Sequence, residues 1–119
     1  MTAFRLIPFT LHGAIELLIG LALMVAPFAL GFTAAGTLAA VLIGAMLFGL
    51  ALGTSNVEPG GRGVSIAAHY SLDVAAVLGL LGAALVLALA GDRNAGIAFV
   101  AAFAAQLALA TTTRYSERG

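Results

Sequence analysis

The sequence has no cysteine, no tryptophan and no lysine, and it has few charged residues of any kind. Without cysteine there are no disulfides, thiolate metal sites, iron–sulfur clusters or thiol catalysis, so any metal must be held by histidine, carboxylate or carbonyl ligands. Without lysine, the glycines of the middle segment cannot form a phosphate-binding P-loop. The five arginines balance five acidic residues, and this zero net charge gives no reason to expect nucleic-acid binding.

What the chain does contain is apolar. Of its 119 residues, 62% are hydrophobic and only 8% are charged, and the mean hydropathy is +1.14. Soluble globular domains carry about 25% charged residues, so this composition lies well outside their range. We therefore expect the lipid bilayer to be the main partner of this protein.

Four apolar stretches are long enough to cross a hydrocarbon core, which takes about 20 helical residues. They lie near residues 7–28, 35–54, 65–90 and 95–113. Backbone groups must pair internally in lipid, and these stretches lack the alternating pattern of barrel strands, so helices are expected. The sequence predicts an all-α integral membrane four-helix bundle, with two short turns and one longer middle loop.

The arginines predict the orientation. Four of them lie on the side shared by the two termini and the middle loop, namely Arg5, Arg62, Arg114 and Arg118. Arg93 stands alone on the opposite side. Because positive residues concentrate in cytoplasmic segments, both termini are predicted to be cytoplasmic.

The chain also repeats itself at an offset of 57 residues. The polar residues of the first helix recur in the third with their chemical type kept: Arg5 falls on Arg62, His12 on His69, and Glu16 on Asp73. This pattern predicts two hairpin repeats within one domain, residues 1–57 and residues 58–119. Each repeat has two spans, so both enter the membrane from the same side and are parallel.

The turn of the first repeat resembles the SPW-repeat family of small bacterial membrane proteins. The family motif places Ser-Pro-Trp and then Leu-Gly-Phe between two helices, and the chain has Ala26-Pro27-Phe28 and Leu30-Gly31-Phe32 at these positions. The second repeat departs further, with Ala83-Ala84-Leu85 where the proline motif would lie. The resemblance implies a bacterial inner-membrane protein of paired hairpins and no particular activity.

Four ionisable residues form the most informative pattern. His12 and Glu16 are four residues apart, as are His69 and Asp73, so each pair shares one helix face. An ionisable group inside a membrane costs about 2.5–3.5 kcal/mol on insertion scales, and such groups usually point into the protein interior. We expect the two pairs to lie at equal depth and to converge in the cytoplasmic half.

Three interpretations of this convergence are compatible with the sequence. The side chains can neutralise one another and simply hold the hairpins in register. They can bind a zinc, iron or manganese ion with His12, Glu16, His69 and Asp73 as ligands, or a haem between His12 and His69. They can serve proton-coupled transport with Glu16 and Asp73 as the exchanging carboxylates, although the absence of tryptophan argues against a site for cationic drugs.

Other polar residues are less informative. Ser71 should face away from the cluster, and no serine or threonine has a clear catalytic base, so we do not expect an enzyme. Gln106 predicts an interhelical hydrogen bond, within the chain or to a partner subunit. Gly49 with Gly53 predicts a close helix contact, either in folding or in dimerisation. The sequence thus favours a small membrane scaffold or accessory protein, acting alone, as a homo-oligomer or in a larger assembly.

Overall fold

Four α-helices make up nearly all of the described chain in the computed structural model, which describes residues 6–53 and 65–115. They are α1 (Phe9–Leu30), α2 (Ala34–Leu52), α3 (Ile66–Leu89) and α4 (Arg93–Thr112). Each helix begins and ends within two residues of its predicted span. The all-helical prediction is therefore confirmed, and the described residues contain no strand beyond an isolated bridge between Ile7 and Thr113.

Some sequence predictions fall outside the described residues. These are the junction between residues 57 and 58 and three of the arginines that predict the orientation, Arg5, Arg62 and Arg118. Nothing in the described part of the chain bears on them.

The ends of the helices follow from local sequence. The side chains of Thr33, Ser65 and Asp92 each accept a hydrogen bond from the backbone amide three residues later, which caps α2, α3 and α4. Gly31 ends α1 with a φ of 68°, a left-handed conformation that glycine adopts without steric cost. The residues in the two short turns thus determine where the neighbouring helices end and begin.

The distribution of polarity is the reverse of that in a soluble protein. Large apolar side chains face outward, with Phe28 76% and Leu89 88% exposed. Polar side chains such as His12 and Glu16 are completely buried. All four helices are long and apolar enough to cross a membrane, and this arrangement is what a lipid environment requires because exposed leucines then meet acyl chains.

Helix α1 packs mainly against α2, and α3 mainly against α4. The contact between α1 and α2 is closest where Gly20 meets Gly44, since a Cβ on Gly20 would lie 2.7 Å from the carbonyl oxygen of Gly44. Gly49, by contrast, has no atom within 4 Å of where its Cβ would be. Within the described chain the two backbones meet near the middle of the helices, and the close contact predicted at Gly49 and Gly53 stays a prediction for an interface between copies of the chain.

Helices α1 and α3 have little backbone contact with each other, although both contact α4. Their long polar side chains therefore meet across the interior, between the other two helices. Farther from the starts of α1 and α3 the interior is apolar, with Leu47, Leu80 and Phe99 fully buried. The fold thus places a polar cluster near the first turns of α1 and α3, next to an apolar core.

Candidate metal centre

The cluster is built from equivalent positions on α1 and α3. His12 and His69 are each the fourth residue of their helix, and Glu16 and Asp73 are each the eighth. A spacing of four residues places the histidine and the carboxylate of one helix on the same face. All four residues are 0% exposed, so the predicted convergence of these side chains is confirmed.

The four side chains form a ring in which nitrogen and oxygen atoms alternate. Each imidazole is nearer to the carboxylate of the other helix: His12 Nε2 lies 2.9 Å from Asp73 Oδ2, and His69 Nε2 lies 2.9 Å from Glu16 Oε1. Each is 3.4 Å from the carboxylate on its own helix. The ring is therefore symmetric in its distances, and it links α1 to α3 in both directions.

The hydrogen on His12 Nδ1 is set from outside the ring. The Thr113 hydroxyl donates to the carbonyl oxygen of Leu109 at 2.6 Å, so its oxygen is left to accept a hydrogen bond. His12 Nδ1 lies 2.7 Å from that oxygen and must carry the hydrogen. In a neutral imidazole, Nε2 then bears a lone pair directed into the ring.

His12 Nε2 is also poorly aligned for hydrogen bonding. It is completely buried and has no hydrogen-bond partner among the described residues, even though carboxylate oxygens of Asp73 and Glu16 lie 2.9 and 3.4 Å away. His12 Nε2 is therefore held at ion-pair distance from two carboxylates without a well-aligned hydrogen bond to either of them.

His69 differs from His12 in its partners. Its Nε2 forms a hydrogen bond of 2.9 Å with Glu16 Oε1. Its Nδ1 is buried and has no hydrogen-bond partner within residues 6–53 and 65–115. The two imidazoles lie 5.3 Å apart between ring centroids, and Phe9 packs against both. Phe9 thus covers the ring on the side of the helix starts.

Two side chains from the second helix pair complete the polar surroundings. Gln106 Nε2 donates to Glu16 Oε2 at 3.0 Å and to Asp73 Oδ1 at 3.4 Å. The Tyr115 hydroxyl donates to Asp73 Oδ2 at 2.6 Å. These donors hold both carboxylates in place. Three of the four carboxylate oxygens accept a hydrogen bond from Gln106 or Tyr115.

The separations within the ring suit a small metal ion. One ligand atom from each of the four residues lies within 4.8 Å of the others. In a tetrahedral site with metal–ligand distances of about 2.0–2.1 Å, neighbouring ligand atoms are about 3.3 Å apart. With one oxygen from each carboxylate, the nearest nitrogen–oxygen separations are 2.9 Å, somewhat shorter than this value, so an ion in the ring requires a small outward movement of the side chains.

The sequence identified all four residues of the ring but only part of its surroundings. The interhelical hydrogen bond predicted for Gln106 is confirmed, and it is made within the chain. Ser71 is exposed and bonds to its own helix, as expected. Thr113 and Tyr115 were not identified, because polar residues after the end of an apolar helix are common and carry no signal of their own.

A second polar contact ties the helix pairs together at the opposite end of the helices. Asp92 Oδ2 accepts hydrogen bonds from the Thr33 hydroxyl at 2.7 Å and the Thr33 amide at 2.8 Å. These hydrogen bonds hold the pKa of Asp92 below its usual value. Nearby, the Asn94 amide donates to the carbonyl of Leu30 at 2.8 Å, so α1 and α2 are fastened to the start of α4.

No known protein family, curated protein or solved structure matches this sequence. The resemblance of the first turn to the SPW-repeat family stays a prediction from the motif alone.

Proposed function

We propose that this chain is an integral membrane protein that binds one divalent transition-metal ion through His12, Glu16, His69 and Asp73. The observation that carries the proposal is the set of four buried ligand atoms, one from each of two histidines and two carboxylates, which lie within 4.8 Å of one another. Among them, His12 Nε2 is buried without a well-aligned hydrogen bond. A buried polar atom without a partner costs about 1–3 kcal/mol. A cation in the ring supplies the missing partner.

Charge balance is also compatible with a divalent ion. Two neutral imidazoles and two carboxylates carry two negative charges, and a divalent cation brings the sum to zero. Neutrality matters at this position because all four side chains are fully buried, and an uncompensated charge inside a membrane protein is costly. The Thr113 hydrogen bond to His12 adds support, since metal-binding histidines usually donate their second ring N–H to an oxygen.

The geometry favours an ion over a haem. A haem held by two histidines needs a flat slot between the imidazoles, open to the full width of the porphyrin. The imidazole centroids are only 5.3 Å apart, and both Nε2 atoms face the carboxylates of the other helix. Gln106 and Phe9 occupy the space on either side of the ring, so a porphyrin has no room there.

We further propose that the helices form a bundle of two parallel hairpin repeats. The start of α1 at Phe9 and the start of α3 at Ile66 keep the offset of 57 found in the sequence, and the matching distances within the ring support the same relationship. With both termini cytoplasmic, as the arginines indicate, the ring lies in the cytoplasmic half of a bacterial inner membrane.

The closed ring is best suited to a structural role, in a scaffold or an accessory subunit. Catalytic metal sites keep a position open for water or substrate, whereas every member of this ring is buried. Proton-coupled transport through Glu16 and Asp73 stays a prediction from the sequence, because no described feature favours it over metal binding.

The direct test is metal binding by the detergent-purified full chain after treatment with a chelator. We expect Zn²⁺ titration calorimetry to give one ion per chain, and we expect Glu16→Gln and Asp73→Asn to weaken binding at least about tenfold. Ser71→Ala is the matched control, because this exposed hydroxyl lies between His69 and Asp73 in sequence but bonds its own helix.

Circular dichroism and gel filtration of each variant check that it still folds. No binding by the wild type, or equal binding by wild type and both carboxylate variants, overturns the proposal. The ring would then be a hydrogen-bonded contact that holds α1 and α3 together.

A further inference from the structure

We infer that the metal centre is closed at four ligands and selects a tetrahedral cation of the Zn²⁺ class, with Gln106 as the residue that sets this selectivity. The inference rests on the proposed function and goes further, because metal binding alone does not specify a coordination number. The evidence is the set of contacts that limits how many ligands the ring offers.

Coordination number depends on how the carboxylates bind. Ions such as Ca²⁺ take six to eight oxygen ligands and often use both oxygens of a carboxylate, and Mg²⁺ requires six in an octahedral arrangement. The ring offers only two carboxylates. To reach six ligands, both Glu16 and Asp73 would have to bind through both oxygens, or water would have to enter.

Gln106 opposes binding through both oxygens. Its Nε2 lies between the two carboxylates and donates to Glu16 Oε2 at 3.0 Å and to Asp73 Oδ1 at 3.4 Å. One oxygen of each carboxylate is therefore turned towards the amide. Because these bonds hold the carboxylate planes, each group presents one oxygen to the ion together with the two imidazole nitrogens.

Water is kept out by aromatic side chains. Phe9 is only 4% exposed and packs against both imidazoles, with ring centroids 5.6 Å from His12 and 5.0 Å from His69. Tyr115 packs against His12 at 5.3 Å while its hydroxyl occupies Asp73 Oδ2. A fifth or sixth ligand from solvent thus has no place at the ring.

The nitrogen content of the ring points to the same class of ion. Imidazole ligands suit zinc, copper, iron and nickel, whereas magnesium, calcium and manganese prefer oxygen. Among these, Zn²⁺ is the ion that most commonly takes four ligands in closed structural sites. The type of ligand and the number of ligands therefore both favour Zn²⁺.

Co²⁺ provides a test that reads coordination number directly, because four-coordinate Co²⁺ absorbs visible light far more strongly than six-coordinate Co²⁺. We expect the wild-type protein to give the intense four-coordinate spectrum. In Gln106→Leu the carboxylates lose their amide donor and can rotate, so the absorption should fall several-fold. The affinity for Mn²⁺ relative to Zn²⁺ should rise by about tenfold, the size of effect typical of outer-sphere changes.

Two further variants complete the test. Tyr115→Phe removes only the hydroxyl that holds Asp73 Oδ2, and it should shift the spectrum in the same direction even if Gln106→Leu fails to fold. Thr111→Val is the control, since this exposed α4 hydroxyl bonds only carbonyls of its own helix in the described chain, and it should leave the spectrum unchanged.

The outcomes separate the two proposals. If the wild type binds neither Zn²⁺ nor Co²⁺, the proposed function fails. If it binds both ions but gives the weak six-coordinate Co²⁺ spectrum, metal binding stands and the four-ligand inference is wrong. An unchanged spectrum and an unchanged ratio of Mn²⁺ to Zn²⁺ affinity in both Gln106→Leu and Tyr115→Phe overturn the role assigned to the α4 donors.

Discussion

Thr113 Oγ1 accepts a hydrogen bond from His12 Nδ1 at 2.7 Å, which joins the end of α4 to the first turn of α1. The same segments are joined by backbone hydrogen bonds, from the Ile7 amide to the Thr112 carbonyl at 2.9 Å and from the Arg114 amide to the Ile7 carbonyl at 2.8 Å. These contacts hold the residues that follow α4 against the start of α1, and they therefore set the orientation of His12.

Thr113→Val should weaken Zn²⁺ binding about 10- to 100-fold, the range seen when an outer hydrogen bond to a metal-binding histidine is lost. The valine keeps the shape of threonine but leaves the His12 Nδ1–H without its acceptor. Titration calorimetry measures the change, with Thr111→Val, two residues earlier in the last turn of α4, as the control. Equal affinities of Thr113→Val and wild type would show that His12 does not depend on this contact.

Zn²⁺ should stabilise the folded protein. A ligand that binds only the native state at about 100 times its dissociation constant adds about 2.7 kcal/mol. Thermal unfolding in detergent, followed by circular dichroism with and without Zn²⁺, measures this gain. Asp73→Asn should show little gain at the same Zn²⁺ concentration, and a full gain in that variant would mean that the ion binds elsewhere.

The contact between Thr33 and Asp92 should make stability depend on pH in acid. Hydrogen bonds from Thr33 lower the pKa of Asp92 in the folded state from its usual 3.8, so the stabilisation is complete above that value and is lost as the pH falls through the folded-state pKa. Asp92→Asn keeps the shape of the side chain without its titration.

Thermal unfolding of wild type and Asp92→Asn between neutral and acidic pH tests this dependence. The difference in stability between the two proteins should shrink as the pH falls below about 3.8. Comparing the two proteins removes every pH-dependent contribution that they share. A difference that stays constant with pH would show that Asp92 does not stabilise the fold through its charge.

Gly44→Ala should destabilise the contact between α1 and α2. A Cβ at this position would lie 2.7 Å from the carbonyl oxygen of Gly20, and overpacking of this kind costs about 1–3 kcal/mol. Gly49→Ala is the matched control on the same helix, because its Cβ would meet no atom within 4 Å. Alanine there should be neutral or slightly stabilising, since glycine is a poor helix former.

Unfolding midpoints of the two alanine variants give the comparison directly. If Gly44→Ala is as stable as Gly49→Ala, α1 and α2 do not approach each other closely at Gly20 and Gly44.

The four helices and the ring could be predicted because their signals are strong and local. Apolar stretches bounded by turn residues define a membrane helix, and a histidine four residues before a carboxylate on two apolar helices leaves few places for those groups except the interior. The close contact between Gly20 and Gly44 could not be predicted because spacing alone does not reveal which face of α2 meets α1. Gly20 and Gly44 come from different helices, and no short motif links them.

The contacts of Thr113 and Tyr115 could not be predicted for a related reason. Both residues follow the last turn of α4, where the direction of the chain depends on its backbone bonds to Ile7 rather than on any helical period. The pairing of each histidine with the carboxylate of the other helix was also not specified by the sequence. It depends on how α1 and α3 face each other across the interior.

The crossed pairing has a consequence for biosynthesis. Ribosomes make α1 and α2 before α3 exists, so Glu16 enters the bilayer before its nearest imidazole, that of His69, has been synthesised. Until α3 is inserted, the nascent hairpin carries His12 and Glu16, which can form hydrogen bonds with water but not with lipid chains. We therefore expect the early hairpin to sit shallowly, or beside the translocon, and to reach its final depth only when the second hairpin joins it.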